Sequence, residues 1–473
     1  MERVAKKNNA KVSLTSEEGL KKNLHKIYLI LAIFFGLLLS VGMPFFYEPD
    51  GVYHYVVSSN VVGLTNDISR YGETSSWGGG PQNIHELPAV QNGTYFQKYY
   101  ETKVALMPIS KLPRSNSYPA VLSYDFGGHL IPGIGIWLGY HIYPSMGVMI
   151  TFGRLLTMFV YSLAMLFIIK FLKKGKLLFA TLSLSPVVLN TFSSLSYDGL
   201  SFVLSALLVM LTINTIVDGK VGVRRIFGMA VTALAILFWG KTNVIVILLA
   251  FAIAIISALR LIGSESLHSN RYSRSLRKLN VKSTLRKRGV VIGVAIIVLL
   301  GVIIFSLSYG GLLTILYQLF INFGFNFNTG NFDITSVFVR PMGNYMPVWL
   351  TAVWFVLVAV SAFAEDKFFN SRLISMGSFL VVILEVLSVY LGYIRLNLGT
   401  GVAQNDIMGY IAGIQGRYVL PSLFLLPLVV GNERLKASFK SYQTAVLLMV
   451  AVVVISGGLW FFDTWFSAVY LNL

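Results

Sequence analysis

Long apolar runs recur along this chain and limit what it can fold into. They lie at roughly 27–46, 146–169, 177–192, 199–217, 226–240, 243–262, 289–309, 347–364, 373–396, 418–430 and 442–462. About 20 apolar residues in a helix cross the ~30 Å hydrocarbon core of a bilayer. With 55% hydrophobic residues and only 12% charged, the sequence predicts an all-α integral membrane protein.

The helix count is about eleven, with a range of about 10 to 13, because the segment 126–142 is apolar but short and rich in glycine. We interpret that segment as an interfacial or re-entrant helix. The alternative is that it forms a further membrane span. Boundaries are predicted to within ~2–4 residues.

The distribution of basic residues sets the predicted orientation. If the N-terminus is cytoplasmic, 28 of the 38 Lys and Arg residues fall on that side, which is a strong positive-inside pattern. The net charge of +18 therefore indicates membrane topology and anionic lipid rather than nucleic acid. We expect a multi-pass protein of the bacterial plasma membrane, with the C-terminus extracytoplasmic.

This topology divides the chain into three parts. Residues 1–26 form a basic cytoplasmic segment, 27–430 the main transmembrane domain, and 431–473 a cytoplasmic linker with the last transmembrane helix. Substantial outer loops are expected at 47–145, 310–346 and 397–417, and the first of them should carry short interfacial helices. The sequence has no cysteine, so thiolate chemistry and Cys-based metal sites are excluded.

The outer stretch "YEPDGVYHY", 47–55, follows the first span directly. Asp50 and His54 are four residues apart and would share one face of a short helix. Asp50 is then a base or a ligand for a hydroxyl or a cation, and Glu48 is a neighbouring candidate. The alternative is that Asp50 only caps the helix while His54 sits in the interface.

Other candidates lie at predicted outer helix ends. Asp198 is in "SSLSYDGL", and Lys241 in "FWGKTN" lies between two apolar stretches, where a lysine is functional or snorkels to head groups. Arg340 ends a Phe/Asn-rich segment. "GIQGRYVLP" supplies Gln415, Arg417 and Tyr418, and an arginine there suits a phosphate.

Two further features carry weaker signals. Glu385 lies mid-span, as a carrier of protons or cations or, as we favour, a buried partner of Lys241 or an arginine. Aromatic and polar residues of the first loop suit carbohydrate, although aromatics at a membrane surface commonly anchor it. These residues are Trp77, His85, Glu86, Tyr118, Tyr124, Asp125 and His129.

Taken together, Asp50 with His54, "SYDG", "GKTN" and "QGRYVLP" resemble the bacterial membrane-protein family catalogued as domain of unknown function 2142, over roughly 27–430. That family is thought to resemble the type C glycosyltransferases, the GT-C fold, which take a sugar from a polyprenyl-phosphate carrier outside the membrane. The resemblance implies that Asp50 is the catalytic base. The family pattern has glutamate after this aspartate, whereas this chain has Gly51, so either the second acid is dispensable, Glu48 replaces it, or activity is lost or altered.

The sequence thus favours a membrane glycosyltransferase that moves a sugar from a polyprenyl-phosphate donor to a cell-surface glycan, such as a wall polysaccharide or teichoic acid, or to a lipid-linked acceptor. Asp50 is the expected base, and His54, Glu48, Asp198, Lys241, Arg340, Gln415, Arg417 and Tyr418 are the expected binding residues. No metal ligands are assigned. The alternatives are a transporter or flippase of lipid-linked saccharides and a non-catalytic scaffold for polysaccharide assembly.

Overall fold

The computed structural model describes most of the chain. The described residues are 16–64, 126–255, 311–321, 332–340, 346–400 and 414–464, except 44, 46, 47, 49, 220 and 221, with 106, 108, 304, 306 and 307 in addition. The predicted span 289–309 and the basic loop 271–289 therefore lie almost wholly outside the described residues, as do all the first-loop candidates from Trp77 to Asp125.

Helices dominate the described part. In chain order the α-helices are α1 Glu17–Gly42, α2 Gly51–Val61, α3 Phe126–Ile142, α4 Met146–Phe171, α5 Lys176–Ser183, α6 Pro186–Phe192, α7 Asp198–Asp218, α8 Val223–Trp239, α9 Leu312–Phe320, α10 Val348–Phe363, α11 Arg372–Thr400, α12 Leu426–Val430 and α13 Tyr442–Asp463. Short 3-10 helices cover Thr242–Leu248, Ile334–Val337, Gly416–Tyr418 and Leu420–Leu425. Two parallel two-residue strands, β1 Phe332–Asp333 and β2 Ile414–Gln415, pair with each other.

Within the described residues, five helices are long and apolar enough to cross a membrane: α1, α4, α7, the part of α11 from Arg372 to Ile394, and α13. Their mean hydropathy over 18 residues runs from 1.9 to 2.5. This confirms the all-α membrane class and the multi-pass architecture. The expected total of about eleven spans rests on additional runs that are shorter, broken or outside the described residues.

The predicted single helix at 177–192 is wrong. The chain instead forms α5 and α6 with a break at Leu184. The hydroxyl of Ser185 accepts the Val188 N–H as a cap, and Pro186 occupies the first position of α6, where its missing N–H costs nothing. The predicted span at 418–430 is likewise a succession of 3-10 turns and the five-residue α12, punctuated by Pro421 and Pro427.

The glycine-rich segment 126–142 forms the 17-residue helix α3, which packs closely along α4. A Cβ added at Gly135 would lie 2.6 Å from the Gly153 Cα, and one added at Gly139 would lie 2.8 Å from the Met149 Cα. These glycines therefore let the two backbones approach, as small residues do between membrane helices, where association relies on van der Waals packing.

The helix ends fall into two groups that agree with the predicted alternation of loops. At one end, Asp218 at the close of α7 pairs with Lys173 and Arg225. The other end of the bundle holds the start of α7 and the ends of α1 and α8. Residues at or just after these points, Asp198, Asp50 and Lys241, meet in the site described below.

Candidate functional site

Three charged side chains from three separate segments form a buried ion-pair network. The Lys241 Nζ lies 3.0 Å from one carboxylate oxygen of Asp198, and the Arg417 Nε lies 3.1 Å from the other. All three side chains are less than one-fifth exposed. In such surroundings an unpaired charge would be costly, and the Asp198 carboxylate compensates the charges of both cations.

Local structure fixes where these charges stand. Asp198 begins α7, and its backbone N–H donates to the Ser196 hydroxyl at 3.2 Å. Lys241 follows α8, and its backbone N–H donates to the Ser201 hydroxyl at 2.9 Å. The first turn of α7 and the turn after α8 are thereby joined.

Arg417 is positioned by a tight backbone contact. The Gly416 N–H donates to the Ser336 hydroxyl at 2.7 Å, and β1 pairs with β2 just ahead of it. A Cβ on Gly416 would lie 2.4 Å from the Val337 backbone nitrogen, so only glycine fits here without movement. The "QGRY" stretch therefore needs its glycine in order to deliver the arginine.

Asp50 stands at the mouth of this network. Its side chain is 61% exposed, and one carboxylate oxygen lies 3.6 Å from an Arg417 Nη2. The residue adopts φ 57°, a left-handed conformation that aspartate tolerates better than most residues. Although it occupies the N-cap position of α2, its side chain makes no capping hydrogen bond, so the alternative of a purely capping Asp50 is wrong.

Tyrosine rings line the cationic part of the site. The Lys241 Nζ lies 3.6 Å from the centroid of the Tyr418 ring and 5.3 Å from that of Tyr197. The Tyr393 hydroxyl donates to the Tyr418 hydroxyl at 3.4 Å. Burial by itself raises the pKa of the Tyr418 phenol, but the Lys241 ammonium and the Arg417 guanidinium outweigh it and lower that pKa.

A narrow cleft with a cavity volume of about 20 Å³ opens on this network. Its polar lining comes from Asp198, Lys241, Asn243, Arg417 and Tyr418, among apolar residues of α6 and α7 and of the 3-10 helix Leu420–Leu425. The Asn243 side-chain amide donates to the Tyr418 backbone carbonyl at 2.9 Å, which ties the Lys241 segment to the Arg417 segment. The cleft therefore has apolar walls and one charged end.

His54 lies elsewhere than the sequence indicated. It is buried, with its Nδ1 2.8 Å from the Nε2 of His129 and its ring 5.5 Å from the Tyr197 ring. Among its described contacts none is with the Asp50 carboxylate. The predicted shared face is therefore wrong, because Asp50 precedes the first turn of α2 in a left-handed conformation while His54 packs into the α2–α3 contact.

Glu48 lies in a buried ion pair, and its assignment to substrate binding stays a prediction. Its side chain is 1% exposed and forms a 2.5 Å ion pair with the fully buried Arg154 of α4. Arg154 also donates to the Met43 carbonyl at 2.6 Å. The Glu48 carboxylate is therefore buried, unlike the exposed carboxylate of Asp50.

Arg154 was missed by the sequence reasoning, although the signal was present. It is a charged residue inside the apolar run 146–169, and such residues are paired or functional by default. Tyr197 and Tyr393 were missed as well, because tyrosines beside apolar helices are commonly membrane-surface anchors and the sequence does not distinguish the two roles.

The remaining candidates lie near the network without joining the ion pairs above. Gln415 precedes Gly416 in β2, and its side-chain oxygen has no hydrogen-bond partner among the described residues. Arg340 is half-buried at the end of the segment 332–340 that packs on Gly416–Tyr418.

Glu385 is buried in α11, but it is not the partner of Lys241, which pairs with Asp198. Neither of its carboxyl oxygens has a hydrogen-bond partner within the described residues. The favoured structural pairing is therefore wrong as far as Lys241 is concerned.

A known protein family matches the part of the chain that holds most of this site. Residues 122–426 match the family described as "Predicted membrane protein (DUF2142)". The chain belongs to this family. The matched range includes Asp198, Lys241, Arg417 and Tyr418, whereas Asp50 precedes it. The match therefore starts at residue 122, later than the resemblance drawn from the sequence motifs, which starts at about residue 27. No curated protein and no solved structure matches the chain.

Proposed function

We propose that this protein is a GT-C-like membrane glycosyltransferase that transfers a sugar from a polyprenyl-phosphate-linked donor to a cell-surface glycan or lipid-linked acceptor. The observation that carries the proposal is an exposed carboxylate, Asp50, held 3.6 Å from an arginine whose own charge is fixed in the buried Asp198–Lys241–Arg417 network. A base thus stands beside the cations that would meet a phosphate.

The chemistry follows from these positions. Arg417 and Lys241 would contact the donor phosphate, and Asp198 would keep both cations in place. Asp50 would accept the proton of the acceptor hydroxyl while the hydroxyl oxygen attacks the anomeric carbon. The bond from that carbon to the phosphate oxygen breaks, and its electron pair leaves with the polyprenyl phosphate.

The surroundings of the network suit such substrates. The partly exposed ring of Tyr393 would pack against the C–H surface of a sugar, and apolar residues at the cleft would contact the first unit of a polyprenyl chain. The donor would then reach the site from within the membrane. The positive-inside pattern supports an outer location for the site, in a bacterial plasma membrane.

The proposed reaction assigns no role to a divalent metal. Within the described residues no three His, Asp or Glu side chains come together as a metal site would require. Asp198 is already shared by two cations, which leaves Asp50 as the exposed carboxylate of the network.

The test is sugar transfer by the purified full chain in proteoliposomes, with defined polyprenyl-phosphate sugars and acceptors followed by mass spectrometry. Asp50→Asn should lower kcat by about 10²–10⁴-fold, the usual contribution of a general base, without unfolding the protein, since asparagine also tolerates positive φ. Arg417→Ala should abolish transfer. Glu433→Gln, which neutralises an exposed acid whose backbone bonds to Phe369 before the start of α11, is the control and should leave the rate unchanged. Full activity in both Asp50→Asn and Arg417→Ala would refute the proposal.

The buried carboxyl of Glu385 favours a second candidate, a transporter or flippase of lipid-linked saccharides, in which this group carries a proton or cation. A flippase moves labelled lipid across vesicles without changing its mass, and Glu385→Gln should stop that movement. A transferase changes the mass of the acceptor instead, and a scaffold would tolerate all of these substitutions.

A further inference from the structure

A second charged cavity lies at the end of the bundle opposite the ion-pair network. Four lysines, Lys21, Lys173, Lys174 and Lys176, surround it with Glu365 and Asp366, and we call this set the basic pocket. It sits where α1 and α13 begin and where α4 and α10 end. Such positions correspond to the membrane–water boundary.

Only two acids, Glu365 and Asp366, line the basic pocket beside its four lysines. Both carboxylate oxygens of Glu365 accept backbone N–H groups, from Gly175 and, at 2.7 Å, from Leu177. This carboxylate is therefore committed to the start of α5, and burial raises its pKa. It contributes little to neutralising the lysines.

Asp366 is the shared counter-ion of two of the lysines. One of its oxygens lies 3.2 Å from the Lys174 Nζ and 3.8 Å from the Lys21 Nζ. The Asp366 side chain is 69% exposed, so solvent or a ligand reaches it easily. Lys21 also lies 5.0 Å from the centroid of the Tyr442 ring. The Lys21 Nζ also lies 2.7 Å from a carboxylate oxygen of Glu17, whose side chain is 53% exposed. Two ammonium groups thus converge on Asp366, and both of their counter-ions are exposed to solvent.

The cavity has room for an anion. Its volume is about 150 Å³, and a water requires roughly 10–15 Å³ of such space, so a phosphate group fits together with several waters. Lysine ammonium groups bind phosphate as point charges.

The setting favours a lipid over a soluble anion. Phe167 and Phe171, in the last turns of α4 just before Lys173, are 50% and 60% exposed, and Leu447 near the start of α13 is 68% exposed. Apolar surface suited to acyl chains therefore begins next to the pocket on two helices. Basic pockets between transmembrane helices on the cytoplasmic side are a known way to hold anionic head groups.

We propose that the basic pocket binds the phosphate head group of an anionic phospholipid, with Lys21 and Lys174 as its main ligands. The site is independent of the proposed transferase reaction, because it lies at the other end of the helices. Asp366 competes with the head group for the same two ammonium groups.

The proposal is tested on the full chain in nanodiscs. Retention of phosphatidylglycerol against phosphatidylcholine is measured by native mass spectrometry and by titration of a fluorescent phosphatidylglycerol. The double substitution Lys21→Gln with Lys174→Gln should weaken phosphatidylglycerol binding about 20-fold. Lys436→Gln with Lys440→Gln removes the same charge from exposed lysines before α13 and should change binding less than twofold.

Asp366→Asn separates binding from folding damage. Removal of the competing carboxylate should tighten phosphatidylglycerol binding, whereas a general loss of structure would weaken it. Equal binding by the double variant and its control would overturn the proposal. Displacement of the bound lipid by millimolar inorganic phosphate, with equal affinity for the two, would assign the pocket to free phosphate and overturn the lipid assignment.

Discussion

Removal of the buried ion pair between Glu48 and Arg154 should destabilise the protein strongly. The two side chains are 1% and 0% exposed, and their charged atoms lie 2.5 Å apart. Truncation of one partner of such a pair leaves the other charge buried without compensation, which costs about 3–5 kcal/mol. We therefore expect Glu48→Ala to lose about that much free energy of unfolding.

The double variant gives the sharper test. Replacement of both partners by apolar residues is commonly neutral or even stabilising, because no buried charge is left. Glu48→Ala combined with Arg154→Met should therefore be much more stable than Glu48→Ala alone. The coupling free energy from the complete cycle should exceed about 2 kcal/mol.

The assay is reversible unfolding in mixed micelles with increasing sodium dodecyl sulfate, followed by tryptophan fluorescence and circular dichroism. A cost below about 1 kcal/mol for Glu48→Ala, with additive effects in the double variant, would refute the reasoning. Glu48→Gln keeps an acceptor for Arg154 and should retain sugar transfer in the folded fraction. A loss of transfer at normal stability would instead support the assignment of Glu48 to the substrate site.

Two further predictions concern the segments around the site. Gly416→Ala should lower stability by about 1–3 kcal/mol and reduce activity, because the new Cβ would press on the Val337 backbone nitrogen at 2.4 Å. Burial and the neighbouring His129 lower the pKa of His54 well below its ordinary value, so the unfolded state binds the proton more readily. The stability contributed by a neutral His54 is then present above about pH 6.5 and is lost as the pH falls, and His54→Gln should reduce the drop in unfolding midpoint between about pH 7.5 and pH 5.5.

Matched variants serve as controls for these two predictions. Gly392→Ala adds a Cβ where no heavy atom lies within 4 Å, so it should be neutral, and an equal loss in both glycine variants would contradict the close-contact argument. His141→Gln removes an exposed histidine and should leave the pH dependence as in the wild type. An unchanged pH dependence in His54→Gln would contradict the assignment to His54.

The sequence alone determined the class of this protein and much of its site. Apolar runs long enough to cross a bilayer can be recognised without tertiary information, because in lipid each helix must satisfy its own backbone. The sequence also placed Asp198, Lys241 and Arg417 on the same predicted side of the membrane, where charged residues at the ends of apolar helices need partners. Ser185 and Pro186 also indicate a helix start in the sequence, although hydropathy alone does not detect it.

Only the tertiary structure decided how the charges are paired. Glu48 and Asp50 are two residues apart, yet one is buried against Arg154 and the other is exposed beside Arg417. No periodicity distinguishes them, because the difference arises from a single left-handed residue and from a partner 106 positions along the chain. Spacing in sequence shows which residues can meet, whereas the packing of distant helices decides which of them do.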